Sequence, residues 1–232
     1  MIIEMNDSRE TFFACLRDEW APLLRRLGFK GSGQRFQRDL DQVVHVIGVQ
    51  VNKYGGSCCV NLGLHLRFLP FTNNQFLAPG EKIRAESCEF QWRLTPPGYT
   101  DYWWAFEQGV RSHLPLGLLD QTNTEPVEEA RHLINTFETY GEPRFQTVTT
   151  VAQVSEVIQV EDIERSWPIS PLYSFTPGRA GLTMARISEY LGNWERASEF
   201  ARAGLSRVGQ AKAVRIALEE LLNRLEMQSG LS

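Results

Sequence analysis

The residues with the most chemical reach in this chain are its cysteines and histidines. Cys59 and His65 fall on the same side of a run, Cys58–Leu69, in which apolar and polar residues alternate. A thiol beside an imidazole is an activated nucleophile, provided the two are within hydrogen-bond reach. Six residues of extended chain place them roughly 20 Å apart, so this strand by itself makes no such pair. His45 lies on a preceding strand, and the sequence leaves open which side it faces. The four histidines, His45, His65, His113 and His132, show no metal-ligand spacing on a helix and no HExxH. The four cysteines, Cys15, Cys58, Cys59 and Cys88, include no CxxC, and the adjacent Cys58 and Cys59 point to opposite faces of a strand. They read as reduced, buried thiols. No metal and no cofactor is expected.

Lys30-Gly31-Ser32-Gly33 lacks the glycine spacing of a phosphate loop and the Gly-Lys-Ser/Thr ending before a helix, so it reads as a turn. No GxSxG elbow for a serine hydrolase occurs. Glu86 and Glu89 would face opposite sides of a strand. A glycosidase-type carboxylate pair comes from separated segments and is not legible in a sequence. Glu161, Asp162 and Glu164 lack the glycine and the later acidic ligand of a calcium loop. They belong instead to an acidic stretch. Residues 120–165 hold ten carboxylates against three arginines, a local charge of −7 in a chain whose total is −4. Such a stretch repels nucleic acid and suits a basic protein partner. Glu128, Glu129, Glu161, Asp162 and Glu164 are the expected partner-binding residues. No catalytic residue is assigned.

The elements that position these residues follow from periodicity. Phe13, Leu16, Trp20, Leu23 and Leu27 form the apolar stripe of a first helix, which Pro22 should kink or restart near Ala21. Four strands follow at Gln34–Leu40, Val43–Lys53, Cys58–Leu69 and Ser87–Leu94, with Tyr54-Gly55-Gly56-Ser57 as a hairpin turn. Short connections favour an antiparallel meander with helices on one face. Tyr102–His113 is expected to be helical, and Pro115–Thr124 to be a boundary. Beyond it the period changes to that of helices: Pro126–Tyr140, Thr147–Val160, the hairpin Arg179–Leu191 with Trp194–Arg207, and Lys212–Met227. The fold class is therefore α+β, with a sheet domain over residues 1–118 and a helical region over 119–232 packed on it. MIIEMNDSRE has no basic or apolar signal-peptide region, and no apolar run reaches the roughly 18 residues of a membrane span. A soluble cytoplasmic protein is expected.

Two stretches resemble known families. Leu27-Gly28-Phe29-Lys30, Gly33-Gln34-Arg35-Phe36, Val49-Gln50 and Val60-Asn61-Leu62-Gly63 resemble the bacterial domain of unknown function 4304, over about residues 8–110. The resemblance implies a small α+β domain with no established catalytic residues, found in some cases near toxin systems. Tyr190-Leu191-Gly192-Asn193-Trp194-Glu195-Arg196-Ala197, with Phe200 and Leu205, is similar to the hinge of one tetratricopeptide repeat. There, Gly192 and Ala197 would let two helices approach and Trp194 would fill the crossing. One unit is too few for a solenoid.

Together these readings predict a non-enzymatic binding protein: a cytoplasmic immunity protein that neutralises a cognate, basic secreted toxin, such as a nuclease of a type VI secretion system. A small hydrolase or transferase with a pocket between sheet and helices is the alternative. A scaffold module built on the C-terminal hairpin is a third.

Overall fold

A computed structural model of the protein describes residues 2–71, 75–107, 125–165 and 176–229. It divides into two compact units, Met1–Leu64 with Pro79–Thr147, and His65–Ala78 with Val148–Ser232. The division differs from the expected one at residues 118/119. Residues 126–147 belong with the sheet, and residues 65–78 belong with the C-terminal helices. The proposed boundary at Pro115–Thr124 lies outside the described residues.

The sheet unit is α+β, as expected, but its sheet has six strands among the described residues. They are β1 (Lys30–Ser32), β2 (Arg35–Leu40), β3 (Val43–Val51), β4 (Ser57–Leu66), β5 (Phe90–Arg93) and β6 (Trp104–Ala105), in spatial order β1-β2-β3-β4-β5 with β6 also on β4. The pairs β1–β2, β2–β3, β4–β5 and β4–β6 are antiparallel. β5 takes Asn61–Leu64 of β4 and β6 takes Ser57 and Cys58, so the two share one edge of β4. Lys30–Ser32, read as a turn, is thus a strand. A Cβ on Gly31 would lie 2.1 Å from the Arg35 carbonyl oxygen, so only glycine allows so tight a return. Trp104 and Ala105, read as helix, are also a strand. Both are buried, and their apolar side chains fit a strand seated on the sheet as well as they fit a helix face. The rest of that expected helix, from residue 108, is outside the described residues.

One face of the sheet carries Phe36, Arg38, His45 and Ile47, with Leu62 and Trp92 further across. Helices cover it. These are α1 (Ile2–Cys15) and α2 (Ala21–Arg26), joined by a π turn at Leu16–Trp20, and α3 (Pro126–Thr136) and α4 (Glu142–Gln146), joined by a π turn at Phe137–Gly141. Each π turn stands just before a proline, Pro22 or Pro143. The N–H groups of Ala21 and Glu142 donate to carbonyls five residues back, Leu16 and Phe137. Widening one turn accommodates a ring that would collide with the carbonyl four residues back. This is how Pro22 restarts its helix at Ala21, and why the second helix runs on past its expected end at Tyr140. Gly141 serves packing, since a Cβ there would meet Phe137 at 2.6 Å and Leu94 at 3.2 Å. Between sheet and helices lies an aromatic core: Trp20 edge-on to Phe137 with centroids 5.6 Å apart, Phe29 against Phe145 at 5.7 Å, and Trp92 against Phe145 at 5.1 Å.

The helical unit contains α5 (Val151–Ser155), α6 (Val160–Glu164), α7 (Pro177–Tyr190), α8 (Trp194–Ser206) and α9 (Lys212–Ser229). The helix expected over Thr147–Val160 is broken after Ser155. Thr150 opens α5 with a capping box closed by Gln153, and Gln159 with Asp162 opens α6 in the same way. The α7–α8 hairpin forms as predicted, but its crossing is elsewhere. Gly181 and Gly204 meet there, and a Cβ on Gly181 would lie 2.4 Å from the Gly204 Cα. Gly192 makes the turn, with φ +74°. Trp194 is 43% exposed rather than filling the crossing. No helix among the described residues is long and apolar enough to cross a membrane.

Candidate functional site

The other face of the sheet holds Arg35, Gln37 and Asp39 of β2, and Val46 and Gly48 opposite them on β3. Beyond them, Gln50 is joined through its side chain to Asn61 of β4. The segment 81–88 crosses this face, and three features of the sequence seat that segment. The Gln37 side chain donates to the Glu81 carbonyl at 3.1 Å and accepts from the Ile83 N–H at 3.2 Å. Its amide thus replaces the pairing of a neighbouring strand. Gly63 leaves room for the single 3-10 turn Ala85–Ser87 and for Cys88 after it, since a Cβ there would lie 2.7 Å from the Cys88 sulfur and 3.0 Å from the Ala85 backbone. Gly48 lies under Ala85, with 3.7 Å between its notional Cβ and that methyl. Ile83 and Ala85 point down and are buried, which leaves Lys82, Arg84 and Glu86 exposed.

Two adjoining grooves result. One, of about 420 Å³, runs between β1, the start of β2 and residues 82–84; the other, of about 630 Å³, continues along β3 to Ser87 and reaches Arg9. The first is lined by Lys30, Arg35, Lys82 and Arg84 and by no carboxylate. All four cations are exposed, and among the described residues none pairs with an acid. In the second groove Glu86 is already engaged: its Oε1 accepts from Asn61 at 2.9 Å. Asn61 also donates to Gln50 at 3.0 Å and accepts from Arg93 at 2.8 Å, and Arg93 pairs with Asp101 at 2.9 Å. A satisfied polar network therefore borders a cluster of cations whose charge is left open.

The residues expected to carry function stand elsewhere. Glu129 is 4% exposed, and burial, with the nearby Glu128 charge, pushes its carboxyl up to about 7. It therefore cannot present a fixed charge to a partner, because it lies on the inward side of α3. Asp162 is half-buried and accepts the Gln159 N–H at 2.8 Å as part of its helix cap. Glu128, Glu161 and Glu164 are exposed. Of the other acids in that stretch, Glu142 is buried against Arg38 and Glu156 pairs with Arg196 at 3.0 Å. The local −7 is thus divided between two units and partly neutralised.

The thiol and imidazole candidates are also placed for packing. Burial pushes the Cys59 thiol up to about 12, and the sulfur touches the Arg93 guanidinium. His65 is fully buried, stacks on Phe71 at 4.7 Å, and is pushed down to about 4 by burial. His45 faces the helices: its ring stacks on Phe145 at 4.4 Å, and its Nδ1 lies 3.0 Å from the Arg38 guanidinium. Since an arginine only donates, this nitrogen accepts. Arg38 completes its site with Glu142 at 2.8 Å, the Leu27 carbonyl at 2.9 Å and the face of Phe29 at 4.4 Å. No cluster of three or more potential metal ligands occurs among the described residues. The basic groove escaped sequence reading because its four cations come from two segments about fifty residues apart. Its one local signal, Lys82 alternating with Arg84 around a buried Ile83, is too short to stand out.

No curated protein and no solved structure matches the chain. The sheet and its basic groove fall within the part of the sequence that a family model recognises: residues 20–113 match the domain of unknown function DUF4304.

Proposed function

We propose that this chain is a non-enzymatic binding protein, and specifically a cytoplasmic immunity protein that neutralises a cognate secreted toxin. The observation that carries this reading is the open groove of the sheet unit, where Lys30, Arg35, Lys82 and Arg84 have no acid among the described residues to pair with. Four like charges held together on a sheet repel one another and are relieved by an anionic partner. Complementarity of this kind speeds association and rejects wrong partners, which is what neutralising a toxin before it acts requires. The toxin setting comes from the family resemblance. The partner surface favoured by the groove is acidic, in place of the basic one inferred from the 120–165 stretch. A basic toxin meeting Glu128, Glu161 and Glu164 is the second reading, supported by the exposure of those three side chains.

The test is to look beside this gene for a toxin-like reading frame and to co-express the two in a sensitive host. Cells should survive with the chain and die without it. A Lys82→Glu, Arg84→Glu double variant should lose protection, while Glu161→Gln with Glu164→Gln keeps it. The reverse pattern selects the second reading. Equal death with and without the chain defeats both.

A further inference from the structure

We infer that the partner contributes an extended acidic segment, which adds to the outer edge of β1 as a further strand and lays its carboxylates along the basic groove. This deepens the reading of the groove as a partner surface and rests on it. Three observations lead here. First, β1 ends the sheet, and among the described residues no strand pairs its outer edge. Its three residues are exposed or half-exposed. An unpaired edge offers a row of backbone donors and acceptors, which an extended peptide satisfies by strand addition. Second, the edge and the charge share a face. Lys30 stands opposite Gln37 and Ser32 opposite Arg35, and directly opposed residues point the same way. Lys30 and Ser32 therefore project on the face where Arg35 and the Gln37-anchored segment bearing Lys82 and Arg84 already lie. A strand added to β1 would present every second side chain to that face. Carboxylates at alternate positions would meet the cations while the backbone pairs. Third, the lining suits a polypeptide better than a nucleic acid. Its one aromatic ring, Phe36, is 2% exposed and gives no platform for a base.

The probe is a short, capped, fluorescent peptide alternating glutamate and threonine, titrated against the full chain. A peptide with lysine for glutamate, a single-stranded oligonucleotide and inorganic phosphate serve as comparisons. The acidic peptide should bind at least about tenfold more tightly than the lysine peptide, with an affinity that falls as salt rises. Lys82→Glu with Arg84→Glu should lower that affinity about tenfold or more. A milder Lys82→Gln, Arg84→Gln pair, with its fold checked by circular dichroism, should move it the same way. Amide exchange at Lys30–Ser32 should slow when the peptide is saturating. The inference is overturned if the acidic peptide does not bind, if neither double variant weakens it, if the β1 amides are unmoved, or if the oligonucleotide or phosphate binds more tightly. Loss of toxin protection alongside intact peptide binding and β1 protection would remove the immunity reading alone. Toxin protection without them would remove this one alone.

Discussion

Replacing Glu129 by glutamine should stabilise the protein at alkaline pH and leave it unchanged at acid pH. An ordinary glutamate ionises near 4.5, and in the fold this carboxyl is held at about 7 by burial and by the Glu128 charge. The folded state therefore keeps a proton that the unfolded state has already lost. Stability falls as pH rises from about 4.5 through about 7, and the full penalty stands above that. At about 1.4 kcal/mol per tenfold, the interval corresponds to at most about 3.5 kcal/mol. Glutamine has nearly the same shape and no proton to lose, so Glu129→Gln should be more stable than the wild type by about 2–3 kcal/mol near pH 8. Near pH 4.5 the neutral acid and the amide are buried alike, and the difference should vanish. Urea melts at both pH values report this through the buried Trp20 and Trp104. A gain of equal size at both pH values would show that glutamine acts through packing, and a loss at pH 8 would show that the carboxylate is satisfied in the fold. Either result refutes the argument.

His65 should show the opposite slope. Its folded value of about 4 lies below the ordinary 6.5, so the unfolded state takes the proton first and stability is lost as pH falls from 6.5 through 4. His65→Phe should flatten this acid limb in the same melts by up to about 3 kcal/mol. Arg38→Met strips the buried Glu142 of its ion pair and should lower stability by about 3–5 kcal/mol, whereas adding Glu142→Met should recover much of it, as read from denaturation midpoints. Gly181→Ala forces apart the helices that meet at Gly204 and should destabilise the helical unit by about 1–3 kcal/mol or more, visible as faster limited proteolysis after residue 148. An equivalent change at Gly192 adds no clash, so its cost would come only from the left-handed turn.

Much of the fold was legible because it rests on local rules. Alternation in Val43–Val51 and Ser57–Leu66, the hairpin glycines between them and the stripe of the first helix each reflect one residue's relation to its near neighbours. The α7–α8 hairpin was legible for the same reason, with Asn193 capping α8 at its start. The misses were of another kind. Trp104 and Ala105 are strand because a free edge of β4 was there to receive them, and no window of sequence around them contains that edge. The helix expected to stop at Tyr140 runs on, because a π turn at Phe137–Gly141 carries it past Pro143 and Gly141 packs on Leu94.

The sequence by itself determined the α+β class, most of the strands and helices, and the absence of familiar catalytic spacing, since all of these are properties of neighbouring residues. It also showed how much charge lies in each stretch, but not which charges reach solvent. Tertiary structure alone buried Glu129 and Glu142, tied Asp162 into a cap, and paired Glu156 with Arg196. It also carried Lys82 and Arg84 across the sheet, on the anchor of Gln37 and over the bare Gly63, to stand beside Lys30 and Arg35. A charge belongs to a residue, but its availability depends on what the fold packs against it. For that reason the binding surface had to be found in three dimensions.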